Sequence, residues 1–125
     1  MKRIIIDLDG TLTRDDAGIP YTEKRPRSAV VAKLREYRAA GFTITVFTAR
    51  NMRTHAGNLG LINLHTLPGV IEWLNRHKVP FDEVLVGKPW CGPDGFYVDD
   101  RALRPDEFAR MTPAEVTAML GANQS

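Results

Sequence analysis

The sequence has little cysteine, no long apolar run and no strong excess of charge of either sign. Its single cysteine, Cys91, cannot form an internal disulfide and has no Cys or His neighbour at zinc-ligand spacing. No apolar stretch approaches the roughly 18 residues of a membrane-spanning helix. The net charge is only +2, and the basic residues are spread along the chain. We therefore expect neither nucleic acid nor a membrane as a partner.

The chain also lacks the signs of a targeting segment and of disorder. Lys2 and Arg3 lead directly into an acidic motif, with no small-residue cleavage site, so we expect a cytoplasmic protein. The 125 residues are 43% hydrophobic and 26% charged, which is ordinary for a globular protein. This length allows one core of normal size and predicts a single domain over residues 1–125.

The most informative motif is an isoleucine run that ends in two aspartates, Asp7 and Asp9, followed by Gly10. If the isoleucines form a buried strand, both carboxylates lie just past its C-terminal end, where open α/β sheets bind ligands. Two carboxylates this close repel each other unless a cation or a shared proton lies between them. The motif therefore predicts a divalent metal site.

Apolar runs of strand and helix type alternate along the chain. Strands are predicted at about 2–6, 42–47, 84–86 and 96–98. Helices are predicted from Ser28 to Gly41, from Leu67 to about His77, and from a capping box at 112–115 to Gly121. A polar excursion at 11–27 and an irregular loop at 51–65 connect them. This order predicts an α/β, Rossmann-like three-layer sandwich with a mainly parallel sheet covered by helices on both faces.

Polar residues directly follow each of the four predicted strands. Because parallel strands end at the same edge of a sheet, we expect these residues to meet: Asp7, Asp9, Thr48, Lys88, Asp99 and Asp100. Acids, a hydroxyl and a lysine can together hold Mg²⁺ and a tetrahedral dianion, which predicts phosphoryl transfer. Asp7 can then act as nucleophile, while Asp9 protonates the leaving alkoxide and later activates water.

The four strand-end motifs contain, in chain order, Asp7 with Asp9, Thr48, Lys88, and Asp99 with Asp100. In this order they resemble the motifs of the haloacid dehalogenase superfamily of phosphohydrolases. The resemblance implies that Asp7 is the nucleophile, that Asp9 is the general acid and base, and that Thr48 and Lys88 bind the phosphoryl group. It further implies that Mg²⁺ is held by the Asp7 carboxylate, the Asp9 backbone carbonyl and Asp99, with Asp100 close by. An aspartate at position 9 is typical of the phosphatases of this superfamily.

A closer resemblance links the chain to small phosphatases among bacterial capsule-biosynthesis proteins. It rests on the segments 47–53, 57–58, 66–68, 87–92 and 96–101. It implies a small phosphorylated sugar, polyol or related metabolite of surface-polysaccharide synthesis as substrate. Residues 12–42 hold one loop and one helix, which leaves no room for a separate cap domain. An open site follows, unless a neighbouring subunit of a homo-oligomer covers it.

Several residues beside the motifs are candidates for substrate binding. We expect the substrate to be bound by Gly10, Thr11, Ala49, Arg50, Arg53 and Trp90. Arg50 and Arg53 could bind the leaving group or a second anion, or they could be solvated at the surface. Trp90 could line the pocket or an oligomer contact, whereas Trp73, at helical spacing from Val70, is predicted in the core.

Three other functions share parts of this pattern. A calcium loop needs acids at its first, third and fifth positions and glycine at its sixth, but here glycine is fourth. A receiver-type signalling domain has similar length and ligands, yet Thr48 stands where its accepting aspartate belongs, and the second acidic pair follows the lysine. A phosphotransferase or phosphomutase of the same superfamily, which passes the group to another alcohol, stays open on sequence grounds.

Overall fold

The computed structural model describes residues 2–122 and shows an α/β fold. Contacts divide the chain into two compact units, one up to Trp90 and one from Cys91 onward. The first unit contains β1 (Arg3–Ile6), a 3-10 turn (Tyr21–Glu23), α1 (Ser28–Ala39), β2 (Thr43–Thr48), α2 (Leu59–His65), α3 (Leu67–Arg76) and β3 (Glu83–Val86). The second contains α4 (Pro105–Arg110) and α5 (Pro113–Ala122). No helix in the described part is long and apolar enough to cross a membrane.

The three strands form one parallel sheet with β2 in the centre. In β1, Ile6 pairs with Val46 of β2, and Thr48 at the end of β2 pairs with Val86 of β3. The strands therefore end together, as the sequence predicted for the first three of them. This common edge places the residues after Ile6, Thr48 and Val86 side by side.

The two faces of this sheet differ in burial. One face carries Ile6, Ile44 and Val46, which are buried. The other carries Ile5 and Leu85, which are 59% and 44% exposed. The expected helical layers on both faces are therefore not confirmed.

The first predicted helix is confirmed, with one correction at its start. Its apolar positions Val30, Val31, Leu34 and Tyr37 are all buried, as the spacing indicated. Ser28 is not the cap, because Arg27 occupies the N-cap position and no side chain caps the helix.

The loop expected over residues 51–65 is partly wrong, because its second half forms α2. The side chain of Asn58 accepts a hydrogen bond from the Leu61 amide at 3.1 Å and caps the helix. Ile62, which belongs to this helix, is buried. The glycines and asparagines of the segment indicated a loop, but one of these asparagines is the N-cap of a helix.

Helix α3 is confirmed over Leu67–Arg76, and its inward face is nearly as predicted. Val70 and Leu74 are buried, but Ile71, expected to face inward, is 36% exposed. Thr66 occupies the N-cap without capping through its side chain. Its hydroxyl instead donates to Asn51 Oδ1 at 2.7 Å.

The prediction of a fourth strand is wrong, because residues 96–98 form no strand in the described part of the chain. The second unit instead contains α4, which the sequence analysis missed. The capping box at the start of α5 is confirmed: the Thr112 amide donates to Glu115 Oε1 and the Glu115 amide donates to Thr112 Oγ1.

Trp73 anchors the polar excursion of residues 11–27 to α3. It is fully buried, and its Nε1 donates to the Lys24 carbonyl at 2.8 Å. We expect Trp73→Phe to lower the free energy of unfolding by about 1–3 kcal/mol, because the substitution leaves a void and removes the donor to Lys24. Urea denaturation followed by circular dichroism measures this loss.

Trp90→Phe is the matched control for Trp73→Phe, because Trp90 is exposed. It should change stability by less than about 0.5 kcal/mol. Equal losses for the two variants would contradict the anchoring role of Trp73.

Candidate active site

The turn after β1 is built around the carbonyl of Leu8. This oxygen accepts the amides of Thr11, Leu12 and Thr13 at 3.2, 2.9 and 3.0 Å. Leu8, Leu12 and Thr13 are fully buried, whereas Asp7 keeps part of its side chain in solvent. Gly10 has φ +80°, a left-handed conformation that favours glycine. The turn thus fixes the backbone that carries both aspartates.

Asp7 is contacted by side chains from two directions. Thr11 Oγ1 donates to its Oδ2 at 3.1 Å, and Lys88 Nζ lies 3.4 Å from its Oδ1. The Lys88 amide also donates to the Thr48 carbonyl at 3.1 Å, which holds the residue after β3 against the end of β2. The structure therefore brings Asp7 and Lys88 together, as the sequence predicted.

Burial raises the pKa of Asp7 above its ordinary value of 3.8. Lys88 and the hydrogen bond from Thr11 act in the opposite direction, and the nearby charge of Asp9 adds to the rise. The ionised carboxylate is therefore less favourable in the folded protein than in water, in spite of its lysine partner. A cation bound beside Asp7 would favour the ionised form.

The raised pKa of Asp7 predicts how stability depends on pH. The protonated Asp7 carboxyl contributes to the free energy of unfolding. This contribution is complete below pH 3.8 and is lost as the pH rises through the pKa that Asp7 has in the folded protein. We expect Asp7→Asn, which stays neutral, to be more stable than the wild type at pH 7 in a chelating buffer. The difference should shrink as the pH falls toward 3.8. Thermal denaturation over a pH series measures it, and a variant less stable at every pH would contradict it.

Asp9 is held by Arg50. Arg50 Nε donates to Oδ2 at 3.1 Å and its Nη2 donates to Oδ1 at 2.8 Å, so both carboxylate oxygens are engaged. The Arg50 side chain is only 5% exposed. The alternative that Arg50 is a solvated surface residue is therefore wrong. Leaving-group binding by Arg50 stays a prediction.

Tyr21 completes the environment of Arg50 and was missed by the sequence analysis. The guanidinium carbon lies 4.2 Å from the centre of the Tyr21 ring, a cation–π contact. Tyr21 belongs to the 3-10 turn within the polar excursion. The one available signal was an aromatic residue in an otherwise polar segment, which does not indicate its partner.

Thr48 and Ala49 lie at the end of β2. Thr48 is buried, and its Oγ1 accepts the Arg50 amide at 3.0 Å, so the hydroxyl proton is still available for donation. The Ala49 carbonyl accepts the Met52 amide at 3.1 Å. Phosphoryl binding by Thr48 and substrate contact by Ala49 stay predictions.

The remaining substrate candidates occupy different surroundings. The Gly10 amide donates to Thr13 Oγ1 at 3.1 Å, and Thr11 is engaged with Asp7. Arg53 and Trp90 are exposed. Substrate binding by these four residues is a prediction that the described contacts do not test.

Asp99 and Asp100 belong to the second unit. Both are exposed, and Asp99 Oδ1 accepts the Arg101 amide at 2.8 Å. Metal binding by Asp99 and Asp100 stays a prediction.

The carboxylate oxygens at the sheet edge of the first unit are the type of ligand that Mg²⁺ prefers. Mg²⁺ takes one or two carboxylates and completes its octahedral shell with water and phosphate oxygens. Asp7 is a partly buried carboxylate beside Lys88, whereas both oxygens of Asp9 accept from Arg50. Among residues 2–122, no group of three or more acidic, His or Cys side chains is close enough to hold a metal ion. The described set therefore lacks a further acid.

Comparison with known structures places the chain beside a bacterial relative. It is similar to the crystal structure of MCSG target APC26283 from Vibrio cholerae, with 55% sequence identity and a TM-score of 0.96. The match covers 99% of this chain and 100% of that one. This chain belongs to the family of the Vibrio cholerae protein. That protein's name states no activity, so the family relation supports the fold and leaves the chemistry to the residues. No family model and no curated protein matches the sequence.

Proposed function

We propose that this protein is a Mg²⁺-dependent phosphomonoesterase of the haloacid dehalogenase superfamily that acts through an aspartyl-phosphate on Asp7. The observation that carries the proposal is the contact set of Asp7: a carboxylate at a strand end, beside Asp9, with Lys88 and Thr11 against its two oxygens. A three-layer, Rossmann-like core and a cytoplasmic location belong to the same proposal.

In the proposed first step, an oxygen of Asp7 attacks the phosphorus and the bond to the ester oxygen breaks. Lys88, whose Nζ lies 3.4 Å from Asp7 Oδ1, would neutralise the oxygens of the transferring group. Asp9 gives a proton to the leaving alkoxide, then takes one from the water that attacks the phosphoenzyme and releases phosphate. Because Arg50 engages both Asp9 oxygens, each proton transfer requires release of at least one of these hydrogen bonds.

Mg²⁺ would be held by the Asp7 carboxylate, the Asp9 backbone carbonyl and Asp99, and would supply charge neutralisation at the phosphoryl oxygens. Asp100 is a further acid beside this set. The remaining residues would orient the substrate: Gly10, Thr11, Ala49, Arg50, Arg53 and Trp90. The proposed substrate is a small phosphorylated sugar, polyol or related intermediate, for which surface-polysaccharide synthesis is the expected setting.

The deciding experiment is a phosphate-release screen over sugar, polyol, nucleotide and amino-alcohol phosphates, with Mg²⁺ or with a chelator. We expect sustained multiple turnover that requires Mg²⁺. Release of a single equivalent of phosphate, without turnover, would favour a receiver-type phospho-acceptor. Transfer to an added sugar in place of water would favour the phosphotransferase.

A further inference from the structure

The sheet of the first unit has an open edge at β1. Since β2 pairs with β1 on one side and with β3 on the other, no strand among residues 2–122 pairs with the outer edge of β1. This edge belongs to the isoleucine run, and Ile5 is 59% exposed. Proteins rarely leave an apolar edge strand uncovered, because it pairs readily with another extended segment.

The second unit holds a segment whose residue types suit such an edge. Residues 96–98, Phe-Tyr-Val, are of strand-forming type, yet they form no strand here. Phe96 and Val98 are 79% and 89% exposed. Tyr97 between them is 50% exposed, and adjoining exposed apolar side chains are typical of an interaction surface.

Pairing of this segment with β1 of its own chain is disfavoured by the length of the connection. Only the nine residues 87–95 separate the end of β3 from Phe96. A parallel crossover takes about a dozen residues or more, and this one would also have to pass β2 and β1. The connection is further shortened by a turn in which the Gly95 amide donates to the Gly92 carbonyl. Pairing of β1 with residues 96–98 of a second copy does not depend on the length of this connection.

We propose that residues 96–98 of a second copy add to the outer edge of β1 as a parallel strand, so that two chains exchange their C-terminal units. Exchange of identical elements is a common route to dimers, and a short connection favours it. The inference rests on the proposed function in one respect: parallel addition carries the partner's Asp99 to the sheet edge where Asp7 lies. Each active site then receives from the second copy the acid that the described set lacks.

Mixing two inactive variants tests the shared site. One chain carries Asp7→Asn and the other Asp99→Asn, and the two are refolded together. A mixed dimer contains one site with both acids intact and one site with neither. With random pairing, half of the dimers are mixed and half of their sites are intact, so about a quarter of wild-type turnover returns. Activity no higher than the sum of the separate variants would overturn the proposal.

A second measurement does not depend on catalysis and separates failure of this inference from failure of the proposed function. In a Cys91→Ser background, a tagged chain with Ile5→Cys is mixed with an untagged chain carrying Phe96→Cys or Val98→Cys, and thiols are oxidised. We expect a disulfide-linked mixed dimer on a non-reducing gel. Ala32→Cys, at an exposed position of α1, replaces Ile5→Cys in the control and should not crosslink.

Light scattering completes the test. The exchanged dimer should have twice the 14.0 kDa mass of the chain. A monomer, or a dimer without the crosslink from Ile5→Cys, would overturn the exchange whether or not the protein releases phosphate. A crosslinked dimer with an inactive wild type would retain the exchange and reject the phosphatase.

Discussion

Asp7→Asn is expected to reduce turnover by roughly 10³- to 10⁶-fold, the range found when a catalytic nucleophile is removed. Asparagine keeps the shape of the side chain and still accepts from Thr11, but it offers no carboxylate oxygen to attack phosphorus. The measurement is steady-state phosphate release with the best substrate from the screen. Because the introduced asparagine can deamidate back to aspartate, the variant's intact mass is checked and Asp7→Ala is assayed beside it.

Asp15→Asn provides the matched control, since Asp15 is exposed in the polar excursion and its substitution makes the same chemical change. It should leave turnover unchanged. Retention of about a tenth of wild-type activity by Asp7→Asn would argue against covalent catalysis at this residue. Asp9→Asn supplies the complementary result: with a good leaving group, the phosphoenzyme should form and then persist, which intact-mass spectrometry detects.

Arg50→Met is expected to lower kcat by about 100-fold. The variant removes both hydrogen bonds to Asp9, so the carboxylate loses its fixed orientation for proton transfer. It should also lower the free energy of unfolding by roughly 1–3 kcal/mol, less than for a fully buried ion pair, because Asp9 keeps solvent contact. Kinetics and urea denaturation measure the two effects.

Two further variants give the Arg50 prediction its controls. Arg110→Met makes the same substitution at an exposed arginine of α4, outside the proposed site, and should leave kcat and stability unchanged. Arg50→Lys keeps the charge without the two-pronged geometry, so it should recover stability more fully than kcat. If Arg50→Met kept wild-type kcat, Asp9 would not need this partner. If Arg50→Lys recovered kcat in full, charge alone would be sufficient.

Local patterns predicted much of the first unit, because its elements are specified by their own residues. The isoleucine run gave β1, the alternating threonines gave β2, and the helical spacing of Val30, Leu34 and Tyr37 gave α1. Helix α2 was missed because glycine and asparagine are typical of loops, whereas Asn58 here caps a helix. The segment 96–98 was misassigned because strand propensity describes side chains, whereas a strand also requires a partner edge.

Candidate-site residues next to strand ends were predictable, and their partners were not. Lys88 reaches Asp7 because both follow strands of one parallel sheet, a relation that topology alone provides. The pairing of Arg50 with Asp9 joins residues 41 positions apart, and the stacking of Tyr21 depends on how the excursion folds. Such contacts depend on tertiary packing and leave no periodic trace in the sequence.

The hydrogen bonds between α3 and the polar excursion have a consequence for the contact of Tyr21 with Arg50. The Lys24 carbonyl is bound by Trp73, and the Thr22 carbonyl accepts from Arg76. Because Tyr21 directly precedes Thr22, these two hydrogen bonds hold the backbone beside the contact of Tyr21 with Arg50. For the proposed phosphatase, we therefore expect this part of the site to keep its shape when a substrate binds.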